Sequence, residues 1–582
     1  MREATKLATQ ARGYTPPWYT PPWYAPSPYA PSPYAPSRSG SKQGSFARVT
    51  HPLRDRSLWA WGWRDRFPDD AARATLAAQA ALLLPRAQLS VRALPSEAPV
   101  VPASAVTIPD AIAPFSSQQP RDRAMTTRGR AFPDLVAGYA GDYAGAPALV
   151  ARPRDASEVA RVLEVCDERG WAVVPFGGGT SVVGGVDAAL ARGDRPAAVA
   201  LDLRALGGVH EVDAESRLAR IGAGATGPAL EEALASHGLT LRHFPQSFEF
   251  STLGGWIATR AGGHYATGAT RIDDLTHAIT MVTPRGLLAT HRHPGSGAGP
   301  EAARLLLGSE GSLGVITEAW MRVVPRPRWR ASASFAFREF SAGVAAARAL
   351  AQSGLQPSNA RLLDGRETLL HRVRMDGASV LLVGFESADH PMSAWLARAV
   401  EIARDHGGEV AEAPSETAAQ SREGAAGAWR QAFLDAPYMQ SAMLSIGVLS
   451  DTFETACSWT QFPELHARVT AAVHRALTEA CGGGIVSCRF THLYPDGPAP
   501  YYTFVGALRV GGEVEQWRTI KTAASEALAA AGGTITHHHA VGRTHRPCYD
   551  HEAPPLFASA LRSVKRDLDP LGIMNPGVLV GE

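Results

Sequence analysis

Three histidines stand side by side at His537, His538 and His539, in the stretch TITHHHAVGRTHR that spans 534–546. Imidazole titrates near neutral pH and also ligates transition metals, so the cluster could move protons or hold an ion. In an extended segment neighbouring side chains point to opposite faces, which keeps three adjacent histidines from sharing one ion. A purification tag would sit at a terminus rather than inside the chain. Proton transfer is the role that remains, with at least one of the three expected to pack or cap a loop instead.

Two glycine patterns compete for a phosphate-bearing cofactor. GAGATG, Gly222 to Gly227, matches the dinucleotide fingerprint G-x-G-x-x-G between a strand-like RLARI and a helical PALEEALASHG. No acidic residue follows about twenty positions on, so a tight strand-to-helix turn is the expected reading. PFGGGTSVVGG, Pro175 to Gly185, follows the apolar WAVV. Its consecutive glycines let successive N–H groups converge on a pyrophosphate, with the Thr180 and Ser181 hydroxyls beside them. Three further runs bear on the same site: FPQSFEFSTLGGWIATRAGG (244–263), LLLGSEGSLGVITEAWMRVVP (305–325) and DPLGIMNPGVL (569–579).

Such loops need a scaffold, and from Ala148 onward strand and helix patterns alternate. ALVARP, WAVVPF and PAAVALDL read as strands, and DASEVARVLEVCDERG reads as a helix stopped at Gly170. Upstream, SLWAWGWRDRF (57–67) carries three tryptophans that would be costly in water, so it should pack on the main body. A helix is predicted from Asp69 to Leu84. Residues 14–37 repeat YTPPW and YAPSP units, which favour polyproline II and mark 1–48 as a disordered tail or a tether for a proline-recognising partner. After RVVPRPRW (322–329) the texture shifts to longer Ala-rich helices and separated strands. The predicted divisions are an N-terminal helical segment (49–130), a cofactor domain (131–327), a substrate or cap domain (328–531) and a C-terminal segment (532–582) that returns to the cofactor domain.

The 582-residue chain is 45% hydrophobic with a formal charge of only +2, which gives no sign of a nucleic-acid or membrane-surface binder. Five scattered cysteines without a C-x-x-C pair read as reduced thiols rather than a zinc site. No apolar run approaches the ~18 residues a membrane span needs, and no signal-peptide pattern begins the chain. The expected location is the cytoplasm of a bacterium.

The glycine loop and the runs at 244–263, 305–325 and 569–579 together resemble flavoproteins of the vanillyl-alcohol oxidase type. That implies an α+β fold: a two-part FAD-binding domain and an α+β cap domain with an antiparallel sheet. By this resemblance Gly177, Gly178, Gly179, Thr180 and Ser181 hold the FAD pyrophosphate. Pro175, Pro245, Ser247, Ser251, Thr252, Thr259 and Arg260 line the cofactor, with Glu310, Gly311 and Ile316 along its other side. Relatives with covalent flavin often carry a histidine after the glycines; Thr180 stands there, so non-covalent FAD is expected.

Two branches differ at the substrate. D-2-hydroxyacid dehydrogenases carry H-x-G-D-G-N-x-H and E-H-G-I-G metal segments, and the chain reads THLYPDGPAPYYTF (491–504) and THHHAVG (536–542) in their places. His492 could be a first ligand, the second is missing, and His538 replaces the glutamate, so no metal is expected. The longer similarity is to alkyldihydroxyacetonephosphate synthases. It runs from WAWGW (59–63) through FPDL (132–135), the FAD motifs, DTFETACSW (451–459), SCRFTHLYPDGPAPYYTF and the triple histidine. The resemblance implies exchange of an acyl group for a fatty alcohol on dihydroxyacetone phosphate, through a flavin N5 adduct, in ether-lipid synthesis. Tyr501 takes the catalytic tyrosine's place, His537, His538 and His539 assist it, and Arg361 in NARLLDG holds the phosphate. Gln440 stands where the family has a second phosphate-binding arginine, a loss of about 1.5–3 kcal/mol if that phosphate is the ligand. The alternatives are an FAD-linked oxidase or dehydrogenase of a 2-hydroxyacid such as D-lactate or glycolate, and a non-catalytic FAD-bound scaffold. Lipid-like small molecules, a homodimer and peripheral membrane contact are the expected partners.

Overall fold

The computed structural model describes residues 56–265, 271–418 and 424–580, so the proline-rich repeat at 1–48 lies outside the described residues. The first α/β unit follows its sequence pattern. Asp155 caps the helix Ala156–Arg169 by accepting from the Glu158 amide, and Gly170 ends it in the left-handed conformation. Val159, Val162, Leu163 and Cys166 recur at helical spacing and are buried. They pack on three parallel strands, Leu149–Ala151, Ala198–Asp202 and Ala172–Phe176, with the two-residue strand Ser116–Ser117 antiparallel at one edge. The last stretch of the chain docks here: Val173 donates to Ile573 O at 2.8 Å, and the Asn575 amide donates to Val173 O at 2.9 Å.

A second sheet is antiparallel, in the order Val209–Asp213, Leu218–Gly222, Val315–Arg322, Thr276–Thr283 and Gly286–Ala289. Ile221, Leu230, Trp256, Ile257 and Met321 share its core, beneath the helices Gly227–Ala235 and Leu253–Thr259. GAGATG is a strand-to-helix turn in this layer. A Cβ at Gly222 would lie 1.9 Å from Leu206 O, and one at Gly224 would lie 2.1 Å from Leu203 O, so close approach of protein backbone accounts for both glycines.

The change of texture at 322–329 coincides with the start of a seven-stranded antiparallel sheet. Its order is Glu409–Ala418, Trp329–Phe337, Ser379–Ser387, Asn359–Leu363, Gly484–Leu493, Pro498–Ala507 and Val448–Glu454. The helices Phe340–Gln352, Ser393–Asp405, Phe462–Cys481 and Glu513–Ala530 pack against it. Period-two alternation then sorts the side chains. Cys488, Phe490, Tyr502 and Phe504 join the hydrophobic core, whereas Arg489, Thr491, Tyr501 and Thr503 face a cavity. The tryptophan segment packs into the same core: Trp59 and Trp61 are buried, and the Trp61 amide donates to Ser441 Oγ at 3.0 Å. The helix predicted at 69–84 spans Asp70–Leu83, and from Leu84 to Ile112 the chain has no helix or strand.

Candidate active site

A cavity of about 830 Å³ separates the glycine loop from the open face of the seven-stranded sheet. Pro175, Gly177 through Ser181, Pro245, Ser247, Ser251, Thr252, Thr259, Glu310, Gly311 and Ile316 all line it. Gly179 has φ +65°, a conformation that favours glycine. None of the described hydrogen bonds is donated by the backbone amides of Gly178 to Ser181, which leaves four N–H groups for an anionic ligand. Glycine at 178 is required by the protein itself, beside any phosphate. A Cβ there would lie 2.1 Å from Phe250 O and 2.8 Å from Ser251 Cα, against protein backbone. The donor set, hydroxyls and volume fit FAD.

Arg260 departs from expectation. It ends the helix Leu253–Thr259 at φ +51°, and that reversal sends its half-exposed side chain to Asp273, outside the cavity lining.

The histidine loop is not extended. Residues 536–539 wrap around one buried carboxylate, Glu454, at the end of the strand Val448–Glu454. Glu454 accepts from the Thr536 hydroxyl (2.6 Å) and from the amides of His537 (2.6 Å), His538 (3.1 Å) and His539 (2.9 Å). Wrapping gathers the side chains, with ring centroids 5.2 Å apart for His537 and His538 and 4.7 Å for His538 and His539. Burial alone would raise the Glu454 carboxyl, but the surrounding imidazoles and the Thr536 hydroxyl hold it below the usual carboxylate range. Burial depresses all three imidazoles, His537 to about 3, so they are neutral at pH 7. His538 and His539 line the cavity, whereas His537 sits behind them.

A second carboxylate grips the loop from the cofactor side. Glu310 accepts from the amides of Val541 (2.9 Å) and Gly542 (2.8 Å), and burial raises it to about 7. Asn575 completes the junction by donating to the carbonyls of Glu310 and Gly185.

Tyr501 is buried on the cavity face, with its hydroxyl donating to Thr452 Oγ1 at 2.9 Å and its ring stacked on His538 at 5.9 Å. The Arg489 guanidinium carbon lies 3.9 Å from the Tyr501 ring centre. Burial raises the phenol, with Arg489 opposing it. Arg489 is ion-paired with the buried Glu367. Among the described residues Arg361 has no such anion. Its Nε donates to Asn359 Oδ1, one Nη donates to the His264 carbonyl, and Nη1 has no partner among the described residues. Burial and the neighbouring Arg489 lower it to about 9, which still leaves it a cation at pH 7. A buried cation in a cavity wall, with no counter-anion among the described residues, suits an anionic ligand. Gln440 also lines the cavity, but Trp61 Nε1 donates to its Oε1 at 3.0 Å, and its Nε2 donates to Asp451 Oδ1 at 3.1 Å.

His492, His537 and His538 bring ring nitrogens within 4.8 Å of one another, a grouping the adjacent-residue reasoning missed because His492 comes from another strand. Both nitrogens of His537 already sit in hydrogen bonds, to Tyr494 and His538. Glu454, Arg489, Asn575, Tyr494 and Lys521, whose ammonium donates to Thr452 O at 2.8 Å, are the site residues sequence reasoning passed over. Four of them lie inside runs the sequence singles out: Glu454 in DTFETACSW, Arg489 and Tyr494 in SCRFTHLYPDGPAPYYTF, and Asn575 in DPLGIMNPGVL.

Residues 147–291 match the family model of an FAD binding domain, and 326–579 match FAD linked oxidases, C-terminal domain. An alkyldihydroxyacetonephosphate synthase of Caenorhabditis elegans is 29% identical over 80% of this chain and 81% of its own. The glycolate oxidase subunit GlcD of Bacillus subtilis is 25% identical over 75% of this chain and 89% of its own. A solved alkyldihydroxyacetonephosphate synthase superposes with a TM-score of 0.76 at 24% identity, over 90% of this chain and 99% of that one, and shares the fold. The chain is an FAD-dependent enzyme, similar over about four fifths of its length to alkyldihydroxyacetonephosphate synthases.

Proposed function

We propose that the protein replaces the acyl group of an acyl-dihydroxyacetone phosphate with a long-chain alcohol, forming an ether without net oxidation. The observation that carries this is the composition of one cavity: buried Arg361 in one wall, the glycine loop in another, and an apolar arm reaching Leu76, Leu83, Met375 and Met443. An anionic head and a long chain would each find matching surroundings there. Gly177 to Ser181, Ser247, Ser251 and Thr252 would hold non-covalent FAD, which would supply an electron sink for the exchange. Arg361 binds the phosphate. Tyr501 and His538 stand beside each other at the reacting carbon and move its protons. Gln440, tied to Asp451 and Trp61, shapes the pocket beside the phosphate.

The relative GlcD favours a second reading, oxidation of a 2-hydroxyacid. The apolar arm argues for the first, because a small acid has no use for it. We also propose a cytoplasmic homodimer that touches membranes. Among the described residues no helix is long and apolar enough to cross a membrane. Exposed Leu82, Leu83, Met375 and Met439, all in the cavity lining, are the contact surface in this reading. Under anaerobic conditions, with palmitoyl-dihydroxyacetone phosphate and labelled hexadecanol, the expected result is labelled ether with no oxidant consumed. Flavin bleached by D-lactate or glycolate, with no ether, would favour the oxidase.

A further inference from the structure

The exchange leaves one proton over. The alcohol O–H breaks, its oxygen bonds to the carbon that carried the acyloxy group, and the acid departs as a carboxylate that stays ionised at neutral pH. The released proton starts beside Tyr501 and Arg361, both of which are buried. We propose that His538, His537 and Tyr494 form its exit, an inference that rests on the exchange reading above.

Three observations define the path. His538 lines the cavity. Its Nδ1 lies 2.9 Å from Nδ1 of His537, and Nε2 of His537 lies 2.8 Å from the Tyr494 hydroxyl. Tyr494 is partly exposed and leads directly into the exposed Pro495–Asp496 turn. Two imidazoles meeting nitrogen to nitrogen share one proton, so one donates while the other accepts. A proton taken up at Nε2 of His538 sends the Nδ1 proton of that ring to His537. The Nε2 proton of His537 then passes to the tyrosyl oxygen, and the tyrosyl proton passes to water. One proton enters, one leaves, and no carbon bond changes.

The surroundings favour passage over storage. Burial keeps both rings neutral at pH 7, so neither traps the proton as a stable imidazolium. Glu454, 3.5 Å from His538 Nδ1, stabilises the transient cation. The other titratable groups facing the path are His492, His539, Tyr501, Asp273, Asp274, Arg260, Arg271, Arg361 and Arg489. Burial pushes the Tyr494 phenol up to about 12, so it relays as a neutral hydroxyl, and Arg271, which hydrogen-bonds it and is itself 25% exposed, offsets part of that burial. His537 and Tyr494 are relay residues; only His538 faces the reacting atoms.

Tyr494→Phe removes the last oxygen and keeps the ring. In the full-length holoenzyme the expected result is kcat lowered ~10-fold or more with KM and flavin content unchanged, and partial recovery on adding imidazole buffer. Nitrogen-15 spectra of the histidine side chains provide a readout independent of turnover. The wild type should show His537 and His538 in opposite tautomers, and Tyr494→Phe should shift Nε2 of His537. His537→Gln should lower kcat similarly and should also respond to imidazole. Wild-type kcat in Tyr494→Phe, or a slow variant indifferent to buffer, overturns the relay, as does an Nε2 signal that Tyr494→Phe leaves unmoved. A wild type that makes no ether overturns the exchange reading itself, and the exit's purpose with it.

Discussion

The two walls of the cavity are built differently. On the cofactor side, recognition is mostly backbone: Gly177 to Ser181 form one continuous loop after one strand, and the hydroxyls of Ser247, Ser251 and Thr252 come from one short run. On the sheet side, every group is a side chain from a different segment. Arg361, Arg489, Tyr501 and His538 span nearly two hundred positions; antiparallel strands align the first three, and His538 arrives on the loop that Glu454 holds. A backbone cradle is sensitive to any added atom. A side-chain wall is sensitive to loss of particular charges and donors.

The largest test of that contrast is Gly178→Val. Its Cβ would press on Phe250 O and Ser251 Cα, neither of which can swing aside, so the purified protein should carry no flavin. The ratio of flavin to protein absorbance measures this, and a fully yellow variant would break the backbone account. Next is Glu454→Ala, which strips the acceptor from three amides and a hydroxyl around the histidine loop. The expected cost is about 3–5 kcal/mol of stability, with activity lost, read from denaturant midpoints and turnover. Arg361→Gln should leave flavin content intact and raise KM for the phosphate substrate roughly 10–100-fold, the equivalent of about 1.5–3 kcal/mol. An unchanged KM would move the anion site elsewhere.

The smallest effect concerns a histidine in neither wall. His243 is buried against Trp256, its ring nitrogens have no described partner, and burial lowers it to about 3. Its folded value lies below its unfolded one, so the unfolded chain binds the extra proton. The stability it allows is complete above pH 6.5 and falls as pH drops toward 3. Between pH 7 and pH 5, His243→Phe should therefore lose less stability than the parent, by about 2 kcal/mol.

The same division explains what could be read from residues alone. Strands and helices between 148 and 202 were legible because apolar spacing, Asp155 and Gly170 each signal locally. The glycine loop was legible as a donor nest, but the specific need for glycine at 178 depends on Phe250, which only the fold brings near. Arg260 sits inside a cofactor-lining run, yet its left-handed backbone turns it to Asp273. The histidine loop looked extended because its shape is set by Glu454, more than eighty positions upstream. Tyr501 and Arg361 were identified through family resemblance; no local feature distinguishes them from other buried side chains.

The most direct test of the central claim follows the alcohol oxygen. With hexadecanol carrying oxygen-18 and palmitoyl-dihydroxyacetone phosphate as co-substrate, the account predicts oxygen-18 in the ether linkage and none in the released palmitate. Oxygen-18 in a palmityl ester, with dihydroxyacetone phosphate set free, would mean that the alcohol attacks the acyl carbonyl, and it would contradict exchange at the ketone fragment.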